Sequence, residues 1–593
     1  MKILEKLGLA LFIIAMILFT AFLGWNTYEL NPDSLSVNSP HHKAAILSAA
    51  GESGMLNKEY TSNIGFIKDF KSVVTKAQTQ LNDNIGNKPA DVGEWDYKIG
   101  DWAVKDMVKG TVMSAGNGWV SKNPMLAFLL TFGLGALGGL LFILPKFFKL
   151  PGIKNDNIYH SSMTRGLTFS LRSGILILTI LGVLAYGFFY MDGKYFWPLV
   201  TAVVAGIIIL LVLFKEKQKD LAPVRSASSN TVAWMGLFTG AYLIGFYILL
   251  YWQPQYISNW ITMVSPISEK LSGNPASEWF LYGLMYCVVV VVMGIRMISK
   301  YRHNKYQMVR TASVMFFQTC IAFLLPEILV RLNYPYFDFK NIWPLNYSFF
   351  FDWNINQLIA SGNLGIFMLV WGIVLTIVGV PLITYFFGKR WYCSWVCGCG
   401  GLAETLGDPF RQLSDKSLRA WKYERWIIHG VLAFAIVMTA MVLYTYFTGS
   451  AKILSFDSNV VRKWYGFIIS AGFAGVVGTG FYPLMGNRTW CRFGCPLAAY
   501  LGLVQKFKSR FRITTNGSQC ISCGNCSTYC EMGIDVRSYA QKGQDIVRSS
   551  CVGCGVCAAV CPRGVLRLEN ASGDVGDRTK QERNVHVEDI IRV

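Results

Sequence analysis

Acidic residues are scarce in this chain. Its 593 residues hold 35 Asp and Glu against 55 Lys and Arg, for a formal net charge of +20. Charged residues of both signs make up only 15%, too few for the surface of an ordinary soluble domain of this size. Histidine is scarcer still. There are six, and His429 alone falls in a long apolar run. A bis-histidine haem b needs two such residues, so no haem b is expected. No Cys-x-x-Cys-His occurs, which excludes a c-type haem. Residues 26–123 contain no cysteine, so that stretch has neither a disulfide nor a thiolate-held metal.

Apolar sequence is abundant. The chain is 53% hydrophobic and 14% aromatic, with a mean hydropathy of +0.36. Runs of about 20 apolar residues read as membrane spans. The first is Leu7–Trp25. It is read as an uncleaved anchor, because no small-x-small cleavage site stands out near Gly24. Others follow at about Met125–Leu144, Leu171–Tyr190, Phe196–Phe214, Thr231–Trp252, Trp279–Ser299, Thr311–Leu332, Leu364–Phe387, Trp426–Phe447 and Tyr465–Leu484. About ten spans put both termini on one side. Lys and Arg crowd the loops of that side, from Lys146 to Arg165, Lys215 to Arg225, Lys300 to Arg310 and Lys389 to Arg425. The positive-inside rule makes it the cytoplasm. The basicity therefore serves topology and anionic lipid, and no nucleic acid is expected as a partner.

Between the first two spans, Ile64, Ile67, Phe70, Val74, Ala77 and Leu81 recur at helical spacing. Residues 26–123 read as a small extracytoplasmic helical domain that meets a protein partner, with His41-His42 a solvated pair. Gly133-Leu-Gly135-Ala-Leu-Gly138 fits G-x-G-x-x-G but lies inside a span, where small residues serve helix packing. Cys287 and Cys320 read as small core residues. Glu327 and Arg331, at i,i+4 near a span end, read as a local ion pair at least as readily as a functional intramembrane acid.

The densest chemistry is C-terminal. Cys520-Ile-Ser-Cys523-Gly-Asn-Cys526-Ser-Thr-Tyr-Cys530 is followed by Cys551-Val-Gly-Cys554-Gly-Val-Cys557-Ala-Ala-Val-Cys561-Pro562. This is C-x2-C-x2-C-x3-C twice, the spacing of a bacterial two-cluster ferredoxin, in which the fourth cysteine of each run serves the other cluster. Cys520, Cys523, Cys526 and Cys561 are assigned to one [4Fe–4S] cluster. Cys551, Cys554, Cys557 and Cys530 are assigned to the second. Zinc sites take separated ligand pairs, and a disulfide framework does not suit the cytoplasmic face. Glu531 stands where the pattern often has proline, so a looser first turn is expected.

Two spans end in nearly the same phrase: Gly388-Lys-Arg390-Trp-Tyr392-Cys393-Ser-Trp395-Val-Cys397, and Gly486-Asn-Arg488-Thr-Trp490-Cys491-Arg-Phe493-Gly-Cys495. A C-x3-C pair on a helix puts both sulfurs on one face. Cys393, Cys397, Cys491 and Cys495 are expected to form one redox site at the cytoplasmic membrane edge, with Cys399 a candidate further ligand. They could hold a further iron–sulfur centre or another thiophilic metal, or cycle as two dithiols.

From about Leu364 to Leu568 these motifs resemble the membrane polyferredoxin family typified by NosR, NapH and CcoG. The eight ferredoxin cysteines match, as do Cys491, Cys495 and Pro496; Gly398 replaces the proline after Cys397. The resemblance implies electron transfer with a membrane redox system, or maturation of a respiratory metalloenzyme. No threonine stands in the Ser/Asp-Gly-Ala-Thr setting of NosR-like proteins, so no covalent flavin is expected. The expected fold is mainly α, a polytopic bundle with a C-terminal α+β ferredoxin module. Its parts are an anchor (1–25), an extracytoplasmic domain (26–123), a bundle (124–485), an interfacial amphipathic connector (486–516), the cluster module (517–570) and a polar tail (571–593). The expected setting is the bacterial inner membrane, with both termini and an electron donor in the cytoplasm. All the redox ligands lie on one side of a hydrocarbon layer about 30 Å thick, so a quinone or a redox partner is needed to complete a route across. A cluster-sensing transporter or scaffold is the remaining alternative.

Overall fold

The computed structural model describes residues 2–87, 92–148, 193–213, 231–450, 452–453, 456–516 and 519–570. The expected span Leu171–Tyr190, most of the basic loops 149–165 and 215–225, and the tail 571–593 lie outside the described residues.

The chain opens with α1 (Lys2–Ala21). Three helices then build the small domain: α2 (Pro40–Glu52), α3 (Asn63–Asp83) and α4 (Asp101–Ser114). The bundle follows with α5 (Pro124–Phe148), α6 (Gly193–Leu213), α7 (Thr231–Trp252), α8 (Ser258–Leu271), α9 (Glu278–Tyr301), α10 (Lys305–Arg331), α11 (Gly362–Phe387), α12 (Leu418–Thr448) and α13 (Ser458–Gly480). A last long helix, α14 (Pro496–Lys508), leads to the cysteine-rich module. Among the described residues seven of these helices are long and apolar enough to cross a membrane: α1, α5 and α9 to α13. Shorter apolar stretches, Tyr195–Ile209 and Gly236–Trp252, lie in α6 and α7.

Small residues set the closest helix contacts. A Cβ on Gly138 of α5 would lie 2.7 Å from the Phe12 nitrogen of α1, and one on Gly8 would lie 2.6 Å from the Gly138 carbonyl oxygen. The G-x-G-x-x-G stretch thus packs helix on helix.

The small domain has its own core, in which Phe66, Phe70, Val74 and Ala77 of α3 meet Ile46 of α2 and Val112 of α4. The apolar periodicity of α3 points inward, as its spacing requires. His42 is buried at 6% exposure, contrary to the solvated pair expected. Asn259 at the start of α8 ties the domain to the bundle. It donates to the Phe22 and Leu23 carbonyls at 2.9 and 3.0 Å, and its Oδ1 accepts from Tyr28 at 2.6 Å. The Trp197 indole reaches Asn63 at 2.7 Å. Arg331 donates to the Lys270 carbonyl at 2.7 Å and forms no ion pair with Glu327 among the described residues.

The segment between α10 and α11 turns back into the bundle. Tyr392 donates to the Lys340 carbonyl at 2.8 Å, and the Trp343 indole reaches Thr439, well inside α12, at 2.9 Å. Ile342 packs in the same core as the C-x3-C cysteines.

In the C-terminal module, strands Arg512–Thr515 and Leu566–Glu569 pair antiparallel. Each cysteine run turns into a short helix, Asn525–Thr528 or Val556–Ala559. Gly524 and Gly555 enter these helices at φ 79° and 74°, conformations that cost other residues energy. The two halves thus repeat each other around the sheet.

Candidate functional site

The module places the eight cysteines in two groups. One cavity is lined by Cys520, Cys523, Cys526 and Cys561, with Gly524, Pro562 and Val565. A second is lined by Cys530, Cys551, Cys554 and Cys557, with Met532, Ile534 and Val552. Each cavity therefore takes three cysteines from one run and one from the other. Burial pushes the thiols of Cys526 and Cys554 up to about 12 and that of Cys551 up to about 11. Such thiols hold their protons until a cation replaces them. Among the described residues no three His, Cys, Asp or Glu side chains converge on a single-ion site; these cysteines ring cavities. Four soft ligands around an enclosed, largely apolar space fit an iron–sulfur cluster.

Glu531 is the anchor of the module and not a looser turn. It is 1% exposed. Arg411 and Arg488 meet it at 2.7 and 2.9 Å, and Asn487 donates to it at 3.2 Å. Burial alone would raise its pKa, yet Arg411 and Arg488 hold it down at about 2. The network continues into the bundle. Arg488 and Arg310 both pair with Glu404; Arg411 and Lys300 pair with Asp408 at 2.9 and 2.8 Å; Arg296 reaches Asp408 at 3.3 Å. Cations outnumber carboxylates here, which suits anionic thiolate centres on either side. Neutral bonds complete the seam. Ser394 donates to the Val552 carbonyl at 2.7 Å, Gln307 to Cys554 at 2.7 Å, Tyr306 to Gly553 at 2.8 Å and Gln505 to Cys551 at 2.9 Å.

Both copies of the repeated phrase fold alike, but not as a helical face. Gly388 and Gly486 start them at φ 63° and 90° with ψ near 180°, a region essentially reserved for glycine. A short turn carries the first cysteine. The second is extended and begins a new helix, Gly398–Thr405 after Cys397 and α14 after Cys495. The Cys397 and Cys495 amides donate to the carbonyls five residues back, of Tyr392 and Trp490, at 2.7 and 3.0 Å. Pro496 disfavours helix at Cys495, and Cys397 is extended without a proline after it, so each C-x3-C pair spans a break and not one turn. The Ala498 amide then caps the Cys495 sulfur at 3.4 Å.

The two copies face each other. The Arg488 guanidinium donates to the Cys393 carbonyl at 3.3 Å and to the Cys491 sulfur at 3.7 Å. All four cysteines are buried in one core, within electrostatic reach of one another. Cys399 is exposed and lies within electrostatic reach of Cys397, Cys491 and Cys495. The site bonds residues midway along two of the long helices. Gln318, midway along α10, donates to the Val396 carbonyl at 2.6 Å; Tyr286 donates to the Gly398 carbonyl; Tyr500 donates to Thr376, midway along α11, at 3.1 Å. Trp490 packs 6.3 Å from Phe473 of α13. Gln318, Thr376 and Phe473 each sit in a π-helical stretch of their helix, where the wider turn leaves carbonyls free for outside donors. Gly398 replaces proline for a local reason: a Cβ there would lie 2.7 Å from Gln318 Oε1.

A Cβ on Gly400 would overlap the Cys393 carbonyl and approach Arg488 Nη1. Gly400→Ala is expected to destabilise the protein by about 1–3 kcal/mol, read as a lower thermal midpoint in detergent.

The comparisons with known proteins fall on these elements. Residues 370–417 and 465–514 match a family model described as a 4Fe-4S binding domain. Residues 512–562 match one described as a 4Fe-4S dicluster domain. The chain is similar to ferredoxin-type electron-transport proteins. It is 30% identical over 163 residues to the putative electron transport protein YccM of Escherichia coli, covering 26% of this chain and 44% of that one. It is 28% identical over 184 residues to the methylamine utilization ferredoxin-type protein MauN of Paracoccus denitrificans, covering 29% and 60%. Protein NirI of the same organism is 26% identical over 187 residues, 30% of this chain and 26% of that one. The chain thus spans roughly half the length of the first two. No solved structure matches it. These relatives support a ferredoxin-type membrane family with an iron–sulfur electron-transfer function, and do not single out NosR or NapH.

Proposed function

We propose that this chain carries electrons between a cytoplasmic or quinone-pool donor and a membrane or extracytoplasmic redox partner, as a bacterial inner-membrane protein of about ten spans with both termini cytoplasmic. Two [4Fe–4S] clusters occupy the module: one on Cys520, Cys523, Cys526 and Cys561, the other on Cys530, Cys551, Cys554 and Cys557. The observation that carries this reading is the pair of four-cysteine cavities, each mixing the two runs as the spacing requires. When bound, a cluster supplies one-electron exchange. The chain supplies the enclosure, the surplus of cations and a rigid seam to the bundle.

Cys393, Cys397, Cys491 and Cys495 form the next redox site on the route. The match to a 4Fe-4S binding domain spans both C-x3-C copies, which supports an iron–sulfur centre there. Their place matters to function. The module abuts the motif at Ser394, and the inturned segment around Lys340 abuts it at Tyr392. A site packed against the middle of α10 and α11 divides a distance of about 30 Å into shorter steps.

The test is Cys526→Ala in anaerobically purified protein. It is expected to lose the cluster of the first cavity and disturb its neighbour, read as iron, sulfide and EPR signal against wild type. Wild type without iron or sulfide overturns the reading. The topology has a separate check. A reporter fused at Asn87 is expected to be active only outside the cytoplasm, and cytoplasmic activity would invert the whole arrangement.

A further inference from the structure

A cavity of about 320 Å³ opens between α12, α14 and the module. Its wall runs from Trp421 and Phe507 at the outside, past His429, to Lys389 and Cys491. It thus ends against one of the four bundle cysteines, and Ser550, beside Cys551 of the module, lines it too. The cavity joins an open edge of the helix bundle to both thiol groups.

Lys389 is the informative residue. Its side chain is buried, with 1% exposure. Its backbone amide bonds Gln505 at 2.8 Å, but its ammonium makes no hydrogen bond or ion pair among the described residues. A buried cation without an acceptor is costly. His429, half-buried on the same cavity, likewise has no hydrogen-bond partner among the described residues, and it lies within electrostatic reach of Lys389. Two donors without a protein acceptor therefore face a slot whose wall combines the apolar or aromatic Ile428, Leu503, Trp421 and Phe507 with Arg548, stacked on Trp421, and Glu424, already bonded to Arg492 and Ser550. A phosphate headgroup is met by cations at the mouth, where Lys506 and Arg425 stand, and would leave Lys389 unpaired. A flat ring with an acceptor oxygen at each end uses both donors and needs apolar faces.

We propose that this cavity binds the headgroup of a membrane quinone, with Lys389 and His429 donating to its two carbonyl oxygens. The inference rests on the electron-transfer reading above and gives it a place of exchange with the quinone pool. The slot size is at the small end of ligand pockets, suited to a single ring with its isoprenoid tail leaving past Phe507 into lipid.

The test uses the full-length protein in nanodiscs with an azido-ubiquinone photoprobe and decylubiquinone as competitor. Label is expected on the α12 and α14 peptides and is displaced by decylubiquinone. Lys389→Met and His429→Leu are each expected to weaken binding roughly tenfold or more, the scale of a lost hydrogen bond to a charged or buried group. His429→Gln keeps a donor and is expected to retain most of the binding. Label elsewhere, or wild-type affinity in both variants, overturns the proposal. Displacement of the probe by phosphatidylglycerol vesicles instead of decylubiquinone makes the cavity a lipid site and also overturns it. Iron content and the reduced EPR spectrum are recorded on the same samples. Protein that keeps both but binds no quinone sinks the cavity assignment alone, whereas quinone-binding protein without iron sinks the electron-transfer reading.

Discussion

Arg488→Met is expected to be the most destabilising single change in the bundle–module seam. Arg488 is fully buried and pairs with both Glu404 and Glu531. It also bonds the Cys393 carbonyl and the Cys491 sulfur. Methionine fills much of its volume but leaves two buried carboxylates short of a partner. Removing one side of a buried pair costs about 3–5 kcal/mol. Arg310 still holds Glu404 and Arg411 still holds Glu531, so the cost is placed at the lower end of that range. The expected readouts are a lower unfolding midpoint and faster loss of module iron. Glu531→Gln strips the opposite charge and is expected to release the module more than the bundle, because Glu531 belongs to the module. If Arg488→Met unfolds and holds iron like wild type, the ionic seam is not what docks the module.

The sequence showed some of this arrangement and concealed the rest, for identifiable reasons. Cysteine spacing writes its own geometry: three cysteines with two residues between neighbours close on one centre, and the fourth, beyond three residues, reaches the other. The grouping of Cys561 with the first run and Cys530 with the second was legible for that reason. The apolar runs were legible too: α7 and α11 begin and end within two residues of the stretches read by hydropathy. α8 was not. It is 14 residues long with Pro266 inside, too short and too polar for a span, yet it carries Asn259, which ties the domain to the bundle. The contacts of the C-x3-C motif with the middle of α10 and α11 were hidden as well. Hydropathy locates spans and treats what lies between them as edge. Residues 388–405 and 486–495 are short, glycine-rich and charged, so they read as a boundary, although π-helical stretches in α10, α11 and α13 open to receive them.

The ion network shows another limit. Arg296, Lys300, Arg310, Glu404, Asp408, Arg411, Arg488 and Glu531 are scattered over 236 positions (from 296 to 531) and meet only in the fold. The one available signal was Glu531 itself, standing where the ferredoxin pattern often has proline. The repeat misled in one respect. Arg390 and Arg488 hold equivalent places in the phrase, but Arg390 bonds Asn570 at 2.6 Å and stacks on Phe511, whereas Arg488 joins the buried carboxylates. The backbone of the repeat is symmetrical, while its charges are divided between the two jobs of holding the strand pair and holding the seam.

Cys491→Ser with Cys495→Ser is expected to stop electron flow to the membrane while leaving the module's clusters in place. Serine nearly matches cysteine in size, so the core around Trp490 and Leu497 is kept, but its oxygen is a poor ligand for soft metals. The module cavities do not include these residues. Iron and sulfide are expected to fall only by what the bundle site holds, with the module's EPR signals retained. Transfer from reduced protein to an acceptor on the far side of the membrane is expected to drop to background, because the remaining gap approaches the full hydrocarbon thickness of about 30 Å. The paired variant Cys393→Ser, Cys397→Ser is expected to match it, since Arg488 bridges the two copies and each supplies half of one site. A variant that keeps every iron and every signal and still passes electrons would show that these four cysteines are not the relay. A variant that loses the module's signals as well would mean that the thiols hold the seam together, which the unchanged unfolding midpoint of a true relay mutant distinguishes.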